Sequence, residues 1–80
     1  MVDFSAPRWQ IFNGVRITVN DEPRELPAEA TVADLVAGLA LGPRRIAVEV
    51  NQAVVPRAEY EEHRLAEGDA VEIIHFVGGG

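Results

Sequence analysis

The residues best suited to do chemistry stand at the end of the chain, where Val77-Gly78-Gly79-Gly80 follows a run of apolar and β-branched side chains. Three glycines have nothing to pack and maximal backbone freedom, so the tail is expected to be disordered in isolation. At roughly 3.3 to 3.6 Å per extended residue it carries a terminal carboxylate about 10 Å beyond the domain. Lacking Cβ atoms, such a thread can enter a narrow tunnel in a partner and leaves the Gly80 carbonyl carbon unhindered. An α-carboxyl with a reference pKa of about 3.3 to 3.7 is ionised at neutral pH, however, and a carboxylate resists nucleophiles. Activation has to come from outside.

Nothing else in the chain offers to supply it. There is no cysteine, hence no disulfide, thiolate metal site or nucleophilic thiol. No P-loop, dinucleotide-binding glycine pattern or cluster of metal ligands is legible. His63 and His75 are the only histidines, and neither has a serine or cysteine placed to form a nucleophile pair. They read as surface residues, and the chain reads as a substrate of enzymes rather than an enzyme. The charge points the same way. The formal net charge is −6, from 13 acidic and 7 basic residues, and the basic residues are scattered arginines, which disfavours nucleic acid as a partner. The acidity serves solubility or steering toward a basic surface. Residues 1–8 lack the basic start and apolar stretch of a secretory signal. No apolar run approaches the roughly 20 residues needed to cross a bilayer. A cytoplasmic location is the default expectation.

The 80 residues allow one small domain, and 48% hydrophobic with 25% charged residues suits a folded chain. Residues 1–14 carry no sustained period and read as a flexible N-terminal extension; the domain spans 15–77, and 78–80 are the tail. Within the extension, Asn13-Gly14 is a hairpin signal that would let residues 9–12 pair with the next segment. Val15, Ile17 and Val19 alternate with Arg16 and Thr18, the period of a half-buried strand. Asn20-Asp21-Glu22-Pro23 supplies a turn, and Arg24-Glu25-Leu26 a short second strand ending at Pro27. Thr31-Val32-Ala33-Asp34 has the form of a capping box, and Val32, Leu35, Val36 and Leu39 make one apolar helical stripe that Gly42-Pro43 stops.

Ile46, Val48 and Val50 predict a third strand. Asn51-Gln52 is a weak turn before Ala53-Val54-Val55, a fourth strand ended by Pro56. Residues 57–64 are polar enough for a single helical turn anchored by Tyr60, with Leu65 as a core plug. After the turn Glu67-Gly68-Asp69, residues 70–77 form the last strand. The predicted class is α+β: a mixed sheet of four or five strands packed on one main helix. Side chains alternate along a strand, so if Val71 and Ile73 point at the helix, Ile74 and Phe76 project from the opposite face. There they are either shielded by loops or the extension, or exposed for docking a partner.

From Val15 to Gly80 the chain resembles the ThiS sulfur carriers, which have the ubiquitin-like β-grasp fold. The resemblance is carried by Arg16-Ile17-Thr18-Val19-Asn20, Thr31-Val32-Ala33-Asp34-Leu35, Val50-Asn51-Gln52-Ala53-Val54-Val55-Pro56-Arg57, Leu65-Ala66-Glu67-Gly68-Asp69 and the terminal Gly79-Gly80. Asn-x-x-Val-Val-Pro-Arg is the most discriminating of these. The resemblance implies parallel first and last strands side by side in mid-sheet, which leaves residues 9–12 no free edge beside the first strand.

The resemblance also implies a mechanism. A ThiF-type adenylyltransferase, using ATP and magnesium, would convert the Gly80 carboxylate to an acyl-adenylate. Sulfur from a persulfide donor such as a cysteine desulfurase would displace AMP and leave a thiocarboxylate on Gly80. Thiazole synthase of the ThiG type would accept it while building the thiazole of thiamine. No cofactor would be bound by the carrier itself. Gly80 would carry the reacting carbonyl and Gly79 the thin backbone. Ile74 and Phe76 would dock partners, with Val77 at the tunnel mouth. Gly78 exceeds the two glycines the family needs. Tyr60 stands where such proteins often have tryptophan and reads as structural.

Three alternatives remain open. The small subunit of molybdopterin synthase ends in the same way and also carries a thiocarboxylate, although Val-Val-Pro-Arg favours the thiamine role. A modifier joined to lysines through Gly80 and a β-grasp interaction module with an inert tail are the others.

Overall fold

One amphipathic helix and strands with one apolar face each can close a core only by laying the helix across a sheet. The computed structural model describes residues 13–40 and 45–76 and has this arrangement. Its elements are β1 (Gly14–Val19), β2 (Glu22–Pro27), α1 (Val32–Gly38), β3 (Ile46–Val50), β4 (Ala53–Val55), a 3₁₀ turn (Arg57–Glu59) and β5 (Ala70–His75). The five strands form one sheet in the order β2-β1-β5-β3-β4. β1 and β5 run parallel, and the other neighbours are antiparallel. This is the ubiquitin-like β-grasp architecture. Buried against α1 are Ile17, Ile46, Val48, Val50, Val55, Val71 and Ile73, completed by Val32, Leu35, Tyr60 and Leu65. Each such aliphatic side chain contributes about 1.5–3 kcal/mol. Tyr60 and Leu65 are thus core residues, as the sequence suggests.

The hairpin is tighter than the sequence suggests. Its loop is Asn20 and Asp21 alone, both at positive φ (51° and 72°), the backbone of a type I′ turn. Glu22 and Pro23 belong to β2, which also reaches Pro27 rather than holding only Arg24 to Leu26. Hydrogen-bond parity explains why two prolines fit a strand. The N–H groups of Thr18 and Asn20 donate toward β5, to Asp69 O (3.0 Å) and Val71 O (2.8 Å), so even-numbered residues of β1 present no ladder bond to β2. Pro23 and Pro27 pair with Thr18 and Gly14 on this edge strand, where a missing N–H breaks nothing.

The capping box at α1 is complete. The Asp34 N–H donates to Thr31 Oγ1 (3.2 Å), and the Thr31 N–H donates to Asp34 Oδ2 (3.0 Å). The helix is shorter than its apolar stripe: it ends at Gly38, with Leu39 as cap and Ala40 at φ 56°. Gly38 weakens the last turn by about 1 kcal/mol relative to alanine, and a left-handed residue cannot continue a helix. Leu39 still packs on the core beyond it. The expected stop at Gly42-Pro43 lies outside the described residues, as do residues 9–12. The last strand ends at His75, two residues short of Val77.

Candidate functional site

The tail is approached through β5, and the fold fixes that strand from both sides. Its first half is held by two asparagines at the tips of the two type I′ turns. Asn20 Oδ1 accepts from the Ile73 N–H (2.8 Å) and Nδ2 donates to Ile73 O (3.4 Å), so a side-chain amide prolongs the parallel ladder where β1 has turned away. Asn51 and Gln52 have φ 53° and 71°. The Asn51 N–H donates to Ala70 O (2.7 Å), its Oδ1 accepts from the Ala70 N–H (2.9 Å), and its Nδ2 donates to Asp69 Oδ1 (2.9 Å).

Asparagine tolerates the left-handed region and carries both a donor and an acceptor, which is why it suits both positions. The turn into β5 is also closed. Asp69 Oδ2 accepts from the Ala66 N–H (2.8 Å), Gly68 sits at φ 86°, and its N–H donates to Arg16 O (2.8 Å).

Alternation along β5 then sorts its residues. Val71 and Ile73 are 1% and 6% exposed beneath α1, whereas Ile74 and Phe76 are 42% and 58% exposed on the other face. The face assignment made from sequence holds, and of the two readings for Ile74 and Phe76 the structure has them exposed. The Phe76 N–H donates to Arg45 O (3.0 Å), which continues the β3–β5 pairing one residue past the strand. Val77, Gly78, Gly79 and Gly80 lie outside the described residues.

Val54, 65% exposed, is a residue the sequence reading passed over. Its neighbour Val55 is buried and pairs with Val48, so Val54 projects from the same open face as Ile74 and Phe76. In a three-residue strand with two adjacent valines, one must face outward, and that was the available signal. Ala47 pairs with Ile74 between them, and Glu49 stands directly opposite Glu72.

His63 and His75 have separate surroundings. The His63 carbonyl accepts from the Val32 N–H (2.9 Å), and His75 pairs with Ile46 at the end of β5. Among the described residues no group of three or more His, Cys, Asp or Glu side chains could hold a metal ion, and no helix is long and apolar enough to cross a membrane.

Comparison with known proteins decides which β-grasp lineage this is. The ThiS family model matches residues 10–80, nearly the whole chain. The chain belongs to the ThiS family. The ThiS protein of Geobacter metallireducens, a thiamine biosynthesis protein known from a crystal structure, superposes with a TM-score of 0.69 at 30% identity, over 82% of this chain and 100% of that one. The sulfur carrier protein ThiS of Bacillus subtilis is 40% identical over 50 residues, 62% of this chain and 76% of that protein. A thiazole synthase of Magnetococcus marinus is 42% identical over 66 residues, 82% of this chain. The chain spans only 20% of that thiazole synthase's length. The ThiS match takes in both Asn20 and Asn51, the Ala66–Asp69 turn and the glycine tail.

Proposed function

We propose that this chain is a sulfur carrier in thiamine biosynthesis, working through the carboxyl of Gly80. The carboxylate attacks the α-phosphorus of ATP on a ThiF-type adenylyltransferase, with magnesium, and pyrophosphate leaves. A persulfide sulfur from a donor such as a cysteine desulfurase then attacks the acyl carbon and expels AMP. Cleavage of the S–S bond by a thiol leaves the thiocarboxylate, which delivers its sulfur to a thiazole synthase. The carrier contributes no catalytic group. Its β5 strand, clamped by Asn20 and Asn51, presents the tail on a rigid base, and Ile74 and Phe76 give partners an apolar surface beside it, with Val77 and Gly78 leading to Gly79 and Gly80.

The observation that carries this reading is the ThiS family match through residue 80, ending in Gly79-Gly80. The similarity to a thiazole synthase supports that enzyme as the sulfur acceptor, since a stretch like this chain lies within its polypeptide. Intact-mass measurement after incubation with ATP, magnesium, an activating enzyme and a sulfur donor tests it. Exchange of one oxygen for sulfur at Gly80 is the expected result, and deletion of Gly79 and Gly80 together, which leaves a single terminal glycine, is expected to abolish it without changing the melting temperature. Linkage to lysines of other proteins would instead make the chain a modifier. An unaltered mass with cognate enzymes would overturn both readings.

A further inference from the structure

The chain has three asparagines, Asn13, Asn20 and Asn51, and the fold holds two of them and leaves the other loose. The Asn20 side chain spans Ile73, accepting from its N–H (2.8 Å) and donating to its carbonyl (3.4 Å). The Asn51 side chain accepts from the Ala70 N–H (2.9 Å) and donates to Asp69 Oδ1 (2.9 Å). Asn13 is exposed, stands just ahead of β1, and its side chain makes no hydrogen bond among the described residues. It also lacks the positive φ of Asn20 and Asn51, so Asn13-Gly14 is not the type I′ turn that its sequence suggests.

The residue that follows each asparagine differs as well. Asp21 and Gln52 carry side chains beside the backbone nitrogen, whereas Gly14 has none. Even-numbered residues of β1 turn their N–H groups away from β2: Arg16 donates to Glu67 Oε1 (2.8 Å) and Thr18 to Asp69 O (3.0 Å). Gly14 continues that series, but β5 pairs with β1 only at Thr18 and Val19, so no strand stands opposite it. Its partner across β2 is Pro27. An unanchored side-chain amide is thus followed by an unhindered backbone nitrogen with no ladder bond.

We propose that Asn13-Gly14 is a site of spontaneous covalent modification, at which Asn13 becomes aspartate or isoaspartate. The Gly14 nitrogen loses its proton and attacks Asn13 Cγ. The new C–N bond closes an imide ring, the Cγ–Nδ2 bond breaks, and Nδ2 leaves as ammonia. Water then adds to either imide carbonyl and opens the ring, so no oxidant or reductant is needed. Both products add one negative charge where residues 1–12 join the domain, and isoaspartate adds a methylene to the main chain there. The pairing of Val15 to Val19 with β2 lies beyond the altered bond, and the core is left as it was. The site is independent of the sulfur-carrier reading.

The test is incubation of the full chain at mildly alkaline pH, followed by peptide mapping by mass spectrometry. Isoaspartate is identified through its methylation by a protein isoaspartate carboxyl methyltransferase. Replacement of NH2 by OH is expected at Asn13, faster at higher pH because the attacking nitrogen must lose its proton, while Asn20 and Asn51 stay intact over the same period. Asn13→Gln is expected to lose the modification and Gly14→Ala to slow it several-fold, both melting like wild type because the position is exposed. The same measurement in guanidinium chloride separates fold from sequence: Asn13 is expected to react equally fast folded and unfolded, since nothing in the fold holds it. A folded-state rate far below the unfolded one would overturn the proposal, as would conversion spread evenly over the three asparagines or undiminished in the Asn13→Gln variant.

Discussion

The two faces of one sheet are built from the same strands and obey opposite rules. Under α1, β5 contributes Val71 and Ile73, and β3 contributes Ile46, Val48 and Val50, all buried. On the other face the alternate residues of the same strands are Glu72, Ile74, Ala47 and Glu49, and none of them is buried. A buried aliphatic side chain is fixed by volume and contact, since interiors are close-packed. An exposed one costs the fold little and is free to be chosen for what it meets. The difference separates residues that close the core from residues that stay on the surface.

The sharpest way to break that comparison is to cut a side chain on the covered face. Leu35, 1% exposed, is wedged between helix and sheet, and Leu35→Ala is expected to destabilise the domain by about 2–5 kcal/mol. Urea denaturation should show the midpoint falling sharply with little change in slope. In a domain this small such a loss takes a large part of the total stability, on the order of 0.05–0.15 kcal/mol per residue. A change within experimental error would mean that α1 is not seated on the sheet.

A smaller effect is expected at the hinge between the faces, where Asn51 ties the β3–β4 turn to the start of β5. Asn51→Ala removes two side-chain hydrogen bonds and puts a less tolerant residue at φ 53°, for an expected loss of about 1–3 kcal/mol. Asn51→Gly, which relaxes the backbone but not the hydrogen bonds, should recover part of it. If the alanine variant is fully stable, the clamp on β5 is not what holds the strand.

The smallest effect on stability is expected on the open face. Phe76→Asp should leave the melting temperature nearly unchanged, because the ring is 58% exposed, while weakening binding to the activating enzyme or thiazole synthase in a direct titration. A variant that melts like a core mutant would place Phe76 inside and reverse the face assignment.

Much of this was readable from local pattern. The capping box needs only Thr31 and Asp34 three residues apart, and the structure has both of its bonds. The strands Ile46–Val50 and Ala53–Val55 were legible from period and from Pro56. The β2 strand was not. Pro23 looks like a turn residue until the parity of β1 hydrogen bonds shows that its missing donor falls on the free edge. The stripe through Leu39 overran the helix, because packing on the core does not require helical backbone.

By itself, the sequence determined which residues alternate, where the helix starts and that three glycines follow Val77. Those are properties of a residue and its near neighbours. Tertiary structure decided that Asn20 reaches Ile73, that Asn51 reaches Asp69 and Ala70, that Val54 shares a face with Phe76, and that Glu49 faces Glu72. Each depends on the register between segments far apart in sequence. A shift of one residue would send every side chain of a strand to the other face. The sequence places three glycines after Val77, and the fold holds the strand that precedes them, β5, between β1 and β3.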